Sequence, residues 1–195
     1  MLDRLEFSTL IQRVRSGDQS AAAECVRLFE PEIRRAARVR LSDPQLRRIV
    51  DSMDICQSVF GRFFVHAASG TLDLDRPEQL LAMLVTMTRN RVTDLARHQQ
   101  AARRDVRRDT GGAGGLATHP DPHPGPLSDA TGRELLAQIH NRLDATERDL
   151  ADRRGQGQSW PMIAKELGGS PDALRKKLER ALDRVREDLG LADPP

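Results

Sequence analysis

The chain has no tyrosine, one tryptophan and five phenylalanines, so aromatics make up 3% of its 195 residues. That leaves little π-surface for gripping a flat apolar ligand or stacking bases. Cysteine is scarce as well. Cys25 and Cys56 have no Cys-x-x-Cys spacing, which argues against a disulfide framework or a zinc site and for a reducing cytoplasm. No apolar run approaches the roughly 18 residues that cross a bilayer, and the opening MLDRLEFSTLIQRVRSGDQ is too charged for a secretory leader. Membrane insertion is therefore not expected. Val/Ile/Thr runs with period-two alternation are missing too, so strands have little support and an all-α fold is expected. The histidines are scattered, with no Ser-His-Asp or Cys-His set and no Gly-rich phosphate loop. These absences point away from an enzyme and from a bound cofactor. Nor does one sign of charge dominate: 31 basic against 29 acidic side chains leave +2. A near-neutral total can still hide local basic patches, and a phosphate backbone responds to those.

Glycine and proline are densest in one stretch. After AARRDVRRD comes TGGAGGLATHPDPHPGPLSDATG, nearly free of large apolar groups. Such a segment buries too little surface to offset its ordering entropy and reads as a flexible linker. His119 and His123 lie inside it, but prolines surround them and no third ligand is near, so no metal is expected. The chain then divides into a helical unit at 1–100, a linker at 101–131 and a second helical unit at 132–191.

In the first unit a short helix is expected near Ser8–Arg15, then a turn at Ser16-Gly17-Asp18 and a helix with Ala22, Cys25, Val26 and Phe29 inward. Pro31 is read as opening a separate segment with Ile33, Ala37 and Leu41 on one side. In DSMDICQSVFGRFF, Ile55, Val59, Phe60, Phe63 and Phe64 form a broad buried stripe, leaving Asp51, Asp54, Gln57, Ser58 and Gly61 on a small, polar outer face. A longer helix, LLAMLVTMTRNRVTDLARHQQ, keeps Leu81, Leu84, Val85, Thr88, Val92 and Leu95 on the buried period. Thr86, Arg89, Asn90, Thr93 and Arg97 gather opposite, running on into Arg103, Arg104, Arg107 and Arg108. An exposed line of Asn, Thr and Arg suits phosphates and base edges, and equally suits plain solvation.

The second unit carries the sharper signal. In RELLAQIHNRLDATERDLADRR, one or two helices turn Leu135, Leu136, Ile139, Leu143 and Leu150 inward. In SWPMIAKELG, Ser159 is placed to cap, Pro161 falls in the first turn, and Ile163, Ala164 and Leu167 face the core. Gly168-Gly169 then makes a tight turn, Ser170 caps the next helix, and Leu174 and Leu178 pin it. Asp172, Ala173, Lys176 and Arg180 must then point outward from its first turns, the part a helix-turn-helix inserts in the major groove. The plainer alternative is a charged helical hairpin in which Arg175 and Glu179 are an i, i+4 pair.

In this order the segments resemble an RNA polymerase sigma factor of the extracytoplasmic-function type. SGDQSAAAECVRLFEPEIRRAARVRL is similar to the opening helices of that family's promoter-melting domain, and DSMDICQSVFGRFF to its clamp-binding segment. LLAMLVTMTRNRVTDLARH is similar to the segment that reads and opens the −10 element, and LDATERDLADRRGQGQSWPMIAKELGGSPDALRKKLERALDRV to the −35 domain. The resemblance implies transcription initiation, with core polymerase and promoter DNA as partners. It implies that Asp51, Asp54, Gln57 and Ser58 touch the largest-subunit clamp. It puts Asn90 and Arg91, with the loop Ser69–Glu78, at the unpaired −10 strand, and Arg97 on phosphates. Asp172, Ala173, Arg175, Lys176 and Arg180 would lie at the −35 major groove, and the same domain at the flap of the second-largest subunit. An anti-sigma factor is a further partner compatible with the resemblance. The chain departs from the family in lacking its common aromatic near Met83–Leu84 and in carrying RRGQG after Leu150. Two other classes fit the same helices: a helix-turn-helix regulator acting without polymerase, for which no dimer seam is visible, and a helical protein-interaction adaptor. For a sigma factor the linker has a contour of about 100 Å and a free span near 30 Å, against elements roughly 70 Å apart, so it should thread along the polymerase.

Overall fold

The computed structural model describes residues 2–41, 50–70, 72–109 and 129–191, without the side chains of 102–109 and 129. Among these residues every regular element is a helix, as the lack of alternating strands implies. The order is α1 (Arg4–Arg15), α2 (Gln19–Arg40), α3 (Ser52–Ala68), α4 (Pro77–Asp109), α5 (Asp129–Asn141), α6 (Ala145–Gly155), α7 (Trp160–Leu167) and α8 (Pro171–Asp188). His119 and His123 lie outside the described residues, as do 110–128 of the expected linker. Helix α4 carries regular structure through Asp109, into the segment assigned to the linker.

Caps set most of the boundaries. Helix α1 starts at Arg4, earlier than expected, because Asp3 accepts from the Leu5 and Glu6 amides while Glu6 reaches back to the Asp3 amide. This capping box satisfies donors that a helix start otherwise leaves orphaned. Gly17 supplies the left-handed turn, φ 82°, between α1 and α2, and Asp18 caps α2. Pro31 does not break α2, which runs through it. Val26, Phe29 and Ile33 are buried on both sides of the exposed proline, and this anchoring outweighs its local cost of about 3 kcal/mol.

Helix α3 is the hub. Ile55, Val59, Phe60, Phe63 and Phe64 are fully buried, with ring centroids 5.3 Å apart for Phe63–Phe64 and 6.1 Å for Phe60–Phe64. The opposite side is covered as well: Ser58, Gly61, Val65 and Ala68 are also buried. A Cβ on Gly61 would meet the Leu191 side chain at 2.9 Å. The outer face inferred for Ser58 and Gly61 is therefore closed by the carboxy-terminal part of the chain. Helices α5, α6 and α8 all contact α3, and one continuous core takes in residues from both sides of the expected linker. Cys25 and Cys56 are free thiols in that core; burial pushes both up, Cys56 to about 12, so neither is reactive in the folded chain.

Candidate nucleic-acid interface

Helix α8 has strong local reasons to form where it does. Gly168 and Gly169 take φ 80° and 88°, a turn that side-chain-bearing residues resist. Ser170 then accepts from the Ala173 amide at 3.2 Å, with Pro171 in the first turn. Leu178, Ala181, Leu182 and Val185 are buried and fix the helix's rotation; Leu174 is partly buried against the same core. The preceding α7 contributes less than expected. Ile163 and Ala164 are buried but Leu167 is 41% exposed, and Ser159 occupies the cap position without a side-chain hydrogen bond.

This rotation leaves Asp172, Ala173, Lys176 and Arg180 exposed, as their spacing requires. They line one shallow groove together with Ser170, Lys177 and Arg184. Arg175 is turned aside. Its guanidinium is paired with Glu179 at 2.8 Å and Asp172 at 3.7 Å, so the hairpin alternative holds for this one residue. Lys177 lies 3.9 Å from Asp144. Arg184 was missed in the sequence, although it repeats the Lys176–Arg180 spacing once more. It is held by the buried Glu147, 5% exposed, at 2.8 Å. Glu147 also closes the α6 capping box with Asp144, so this one carboxylate ties the start of α6 to α8. Lys176 and Arg180 are the groove's cations without a described ion pair, which leaves their charges available to a phosphate.

A second polar line runs along α4. Thr86, Arg89, Asn90, Thr93 and Arg97 are all exposed, above the buried Leu80, Leu84, Thr88 and Val92. Leu80 belongs to the buried set though it fell outside the expected one. The Thr86 and Thr93 hydroxyls donate to the carbonyls of Ala82 and Arg89, at 2.8 and 2.9 Å, so toward a partner they can only accept. Arg91 is half-buried and engaged within the chain. The side chains of Arg103, Arg104, Arg107 and Arg108 lie outside the described residues. Before α4, Arg15 donates to the Leu72 carbonyl, Arg154 donates to the Gly70 carbonyl at 3.3 Å, and the Gln79 side chain caps the Asp75 and Arg76 amides.

The set expected to meet polymerase is split. Asp54 and Gln57 are exposed, Asp51 is half-buried and Ser58 is buried. Asp51 and Asp54 also form the α3 capping box, so both have a task inside the fold.

The chain that folds into this bundle, with its glycine turn and leucine-anchored helix, matches a known family over almost its whole length. The model of the ECF sigma factor family matches residues 4–190. The chain belongs to this family. No curated protein matches the sigma factor closely enough to count as a relative. Membership makes it a DNA-binding protein of transcription initiation, in a family of transcription regulators and not of enzymes, with RNA polymerase and promoter DNA as the implied partners. Among the described residues no helix is long and apolar enough to cross a membrane.

Proposed function

We propose that this sigma factor seats the first turns of α8 in the major groove of the −35 element. There Lys176 and Arg180 take phosphates or base edges, with Asp172 and Ala173 beside them. Arg175 is a lesser contact because its charge is already engaged. Asn90 and Arg97, two helical turns apart on one face of α4, serve the −10 element together with Arg91 and the loop before α4. Asp54 and Gln57 form the exposed part of the surface offered to the polymerase clamp, and Asp51 and Ser58 become available only if their surroundings open. The α5–α8 half meets the polymerase flap. The 1–100 and 132–191 units act as separate binding modules in a cytoplasmic initiation complex, within which an anti-sigma factor has room to compete.

The observation that carries this reading is the α8 groove, where two cations without described ion pairs sit on a helix held from beneath by Leu178, Ala181 and Leu182. Family membership supports it over a regulator working without polymerase and over a protein-interaction adaptor. The test is run-off transcription of genomic fragments by core polymerase with and without the chain, alongside pull-down of the core enzyme by Gln57→Arg. New start sites with the native chain, and lost pull-down by a Gln57→Arg protein that remains helical, are expected. Gln57 is the cleaner position because substituting Asp54 would also remove a helix cap. No new start sites would end the assignment; full pull-down by Gln57→Arg would remove the α3 surface from it.

A further inference from the structure

The run RRGQG at 153–157, where the chain departs from the family pattern, has no part in the promoter contacts just described, yet it leads directly into α7. From Asp152 to Ser159 there is no large apolar side chain. Helix α7 is itself weakly anchored. Of its eight residues Ile163 and Ala164 are buried and Trp160 is half-buried, while Ser159 leaves the first amides without a side-chain cap. The end of α6, by contrast, is fixed. A Cβ on Gly155 would come within 2.5 Å of the Arg15 carbonyl oxygen, so backbone lies on backbone there, as at Gly132, where a Cβ would stand 2.8 Å from the Ala22 carbonyl oxygen.

Two arginines on that fixed end supply what apolar packing does not. The Arg153 Nε donates to both carboxylate oxygens of Asp149 at 2.9 Å, one turn back on α6, and its Nη1 donates to the Glu166 carboxylate near the end of α7. Arg154 donates to the Gln158 carbonyl just ahead of α7, and its guanidinium lies 5.2 Å from the centre of the Trp160 ring. The start of α7 is thus held by Arg154 and its end by Arg153. An isolated surface ion pair contributes almost nothing, but one guanidinium shared between carboxylates on two helices is a network, and its planar fork fixes an angle as well as a distance.

That angle matters because of how α8 is supported. Ahead of Leu178 no residue of α8 is buried and Leu174 is half-buried, so the first two turns, with Asp172, Ala173 and Lys176, overhang the core. The Glu147–Arg184 pair grips α8 well beyond this end, and Lys177 lies a loose 3.9 Å from Asp144. What supports the overhanging end is α7, packed on α8 and joined to it through Gly168-Gly169. A helix-turn-helix reads bases with those first turns, so a tilt of α7 moves the reading atoms while the leucine anchor stays in place.

We propose that Arg153 and Arg154 are positioning residues for −35 recognition: they lock α7 against α6 and thereby set how the first turns of α8 meet base edges. The inference rests on the reading of α8 as the −35 helix. Neither arginine needs a contact with DNA to act in this way. A base contact depends on alignment far more than a phosphate contact does, so loosening this joint costs discrimination between sequences before it costs affinity for duplex DNA.

The test uses the full chain with core polymerase on a labelled duplex promoter fragment, mapped by run-off transcription, and on a copy with its upstream element scrambled. Arg153 is the cleaner position, because Arg154 also donates to the Gly70 carbonyl. Arg153→Met keeps the length of the side chain and removes the network, and it leaves no buried unpaired charge, since Asp149 and Glu166 are 42% and 48% exposed. The ratio of matched to scrambled affinity should fall about tenfold, the scale of one lost base contact, with scrambled-duplex binding and the salt slope unchanged. Acrylamide should quench Trp160, the chain's single tryptophan, more readily in this variant. Arg153→Glu should lower the ratio as well, and adding Glu166→Arg should restore most of it by rebuilding the bridge with its ends exchanged. This exchanged pair decides the matter if Arg153→Met loses its helical circular dichroism. An unchanged ratio in helical Arg153→Met overturns the proposal. So does a salt slope lowered by about 0.9, the mark of a direct phosphate contact, or an exchanged pair no better than Arg153→Glu alone. Lys176→Ala with Arg180→Ala, measured alongside, separates the two ideas: if that variant keeps the native affinity and ratio, the −35 reading fails, while Trp160 quenching still judges the joint.

Discussion

If Lys176 and Arg180 hold phosphates, their removal must change the salt dependence of duplex binding by a calculable amount. Each neutralised phosphate contributes about 0.9 to the slope of log affinity against log salt, so between roughly 50 and 200 mM salt each contact accounts for about a 3.5-fold loss. The two residues are one turn apart, about 6 Å along α8, and exposed on the same groove. Lys176→Ala with Arg180→Ala should lower the slope by about 1.8 and flatten the salt response by about 12-fold. Arg175→Ala is the internal control. Its guanidinium must leave Glu179 and Asp172 before it reaches DNA, so the slope should fall by less than half of one contact. The assay is anisotropy titration of the sigma factor with core polymerase on a duplex promoter fragment, at several salt concentrations. A direct base contact would instead cost about 1–3 kcal/mol at every salt concentration and leave the slope alone. An unchanged slope and affinity in the double variant, or an effect of Arg175→Ala equal to that of Arg180→Ala, would refute the argument from pairing and exposure.

Pro31→Ala should stabilise the chain by about 2 kcal/mol, the roughly 3 kcal/mol cost of a helix-interior proline less about 1 for the freer unfolded chain. Thermal circular dichroism should show Tm rising by about 4–8 °C, and a fall would mean that α2 depends on the interruption. Leu178→Ala, at a side chain 1% exposed, should cost about 2–5 kcal/mol and lower Tm by at least about 4 °C. No loss would show that α8 is not anchored there. His140, packed against Gly17, is held below its ordinary 6.5, first by burial and then by Arg148, with Asp152 opposing. Below that value the unfolded chain takes up a proton that the folded chain resists, so stability falls as pH drops through about 6.5. His140→Gln should lose this part of the decline in melts from about pH 7.5 to 5.5, whereas a decline identical to the native one would place its origin elsewhere.

What was legible in the sequence is what neighbours three or four residues apart decide. The Gly168-Gly169 turn, the Ser170 cap and the leucines beneath Lys176 and Arg180 are local, and together they fix which side of α8 faces outward. The same holds for the buried stripe of α3 and for the polar line from Thr86 to Arg97. Tertiary packing decided the rest. It carried α2 through Pro31, engaged Arg91, and buried Ser58 and Gly61, whose small polar character had suggested an open face. Small residues suit solvent and a close helix contact equally well, so composition cannot distinguish the two. Only the partner helix can, and Gly132 and Gly155 acquire their meaning from backbone more than a hundred residues away, which no local period encodes.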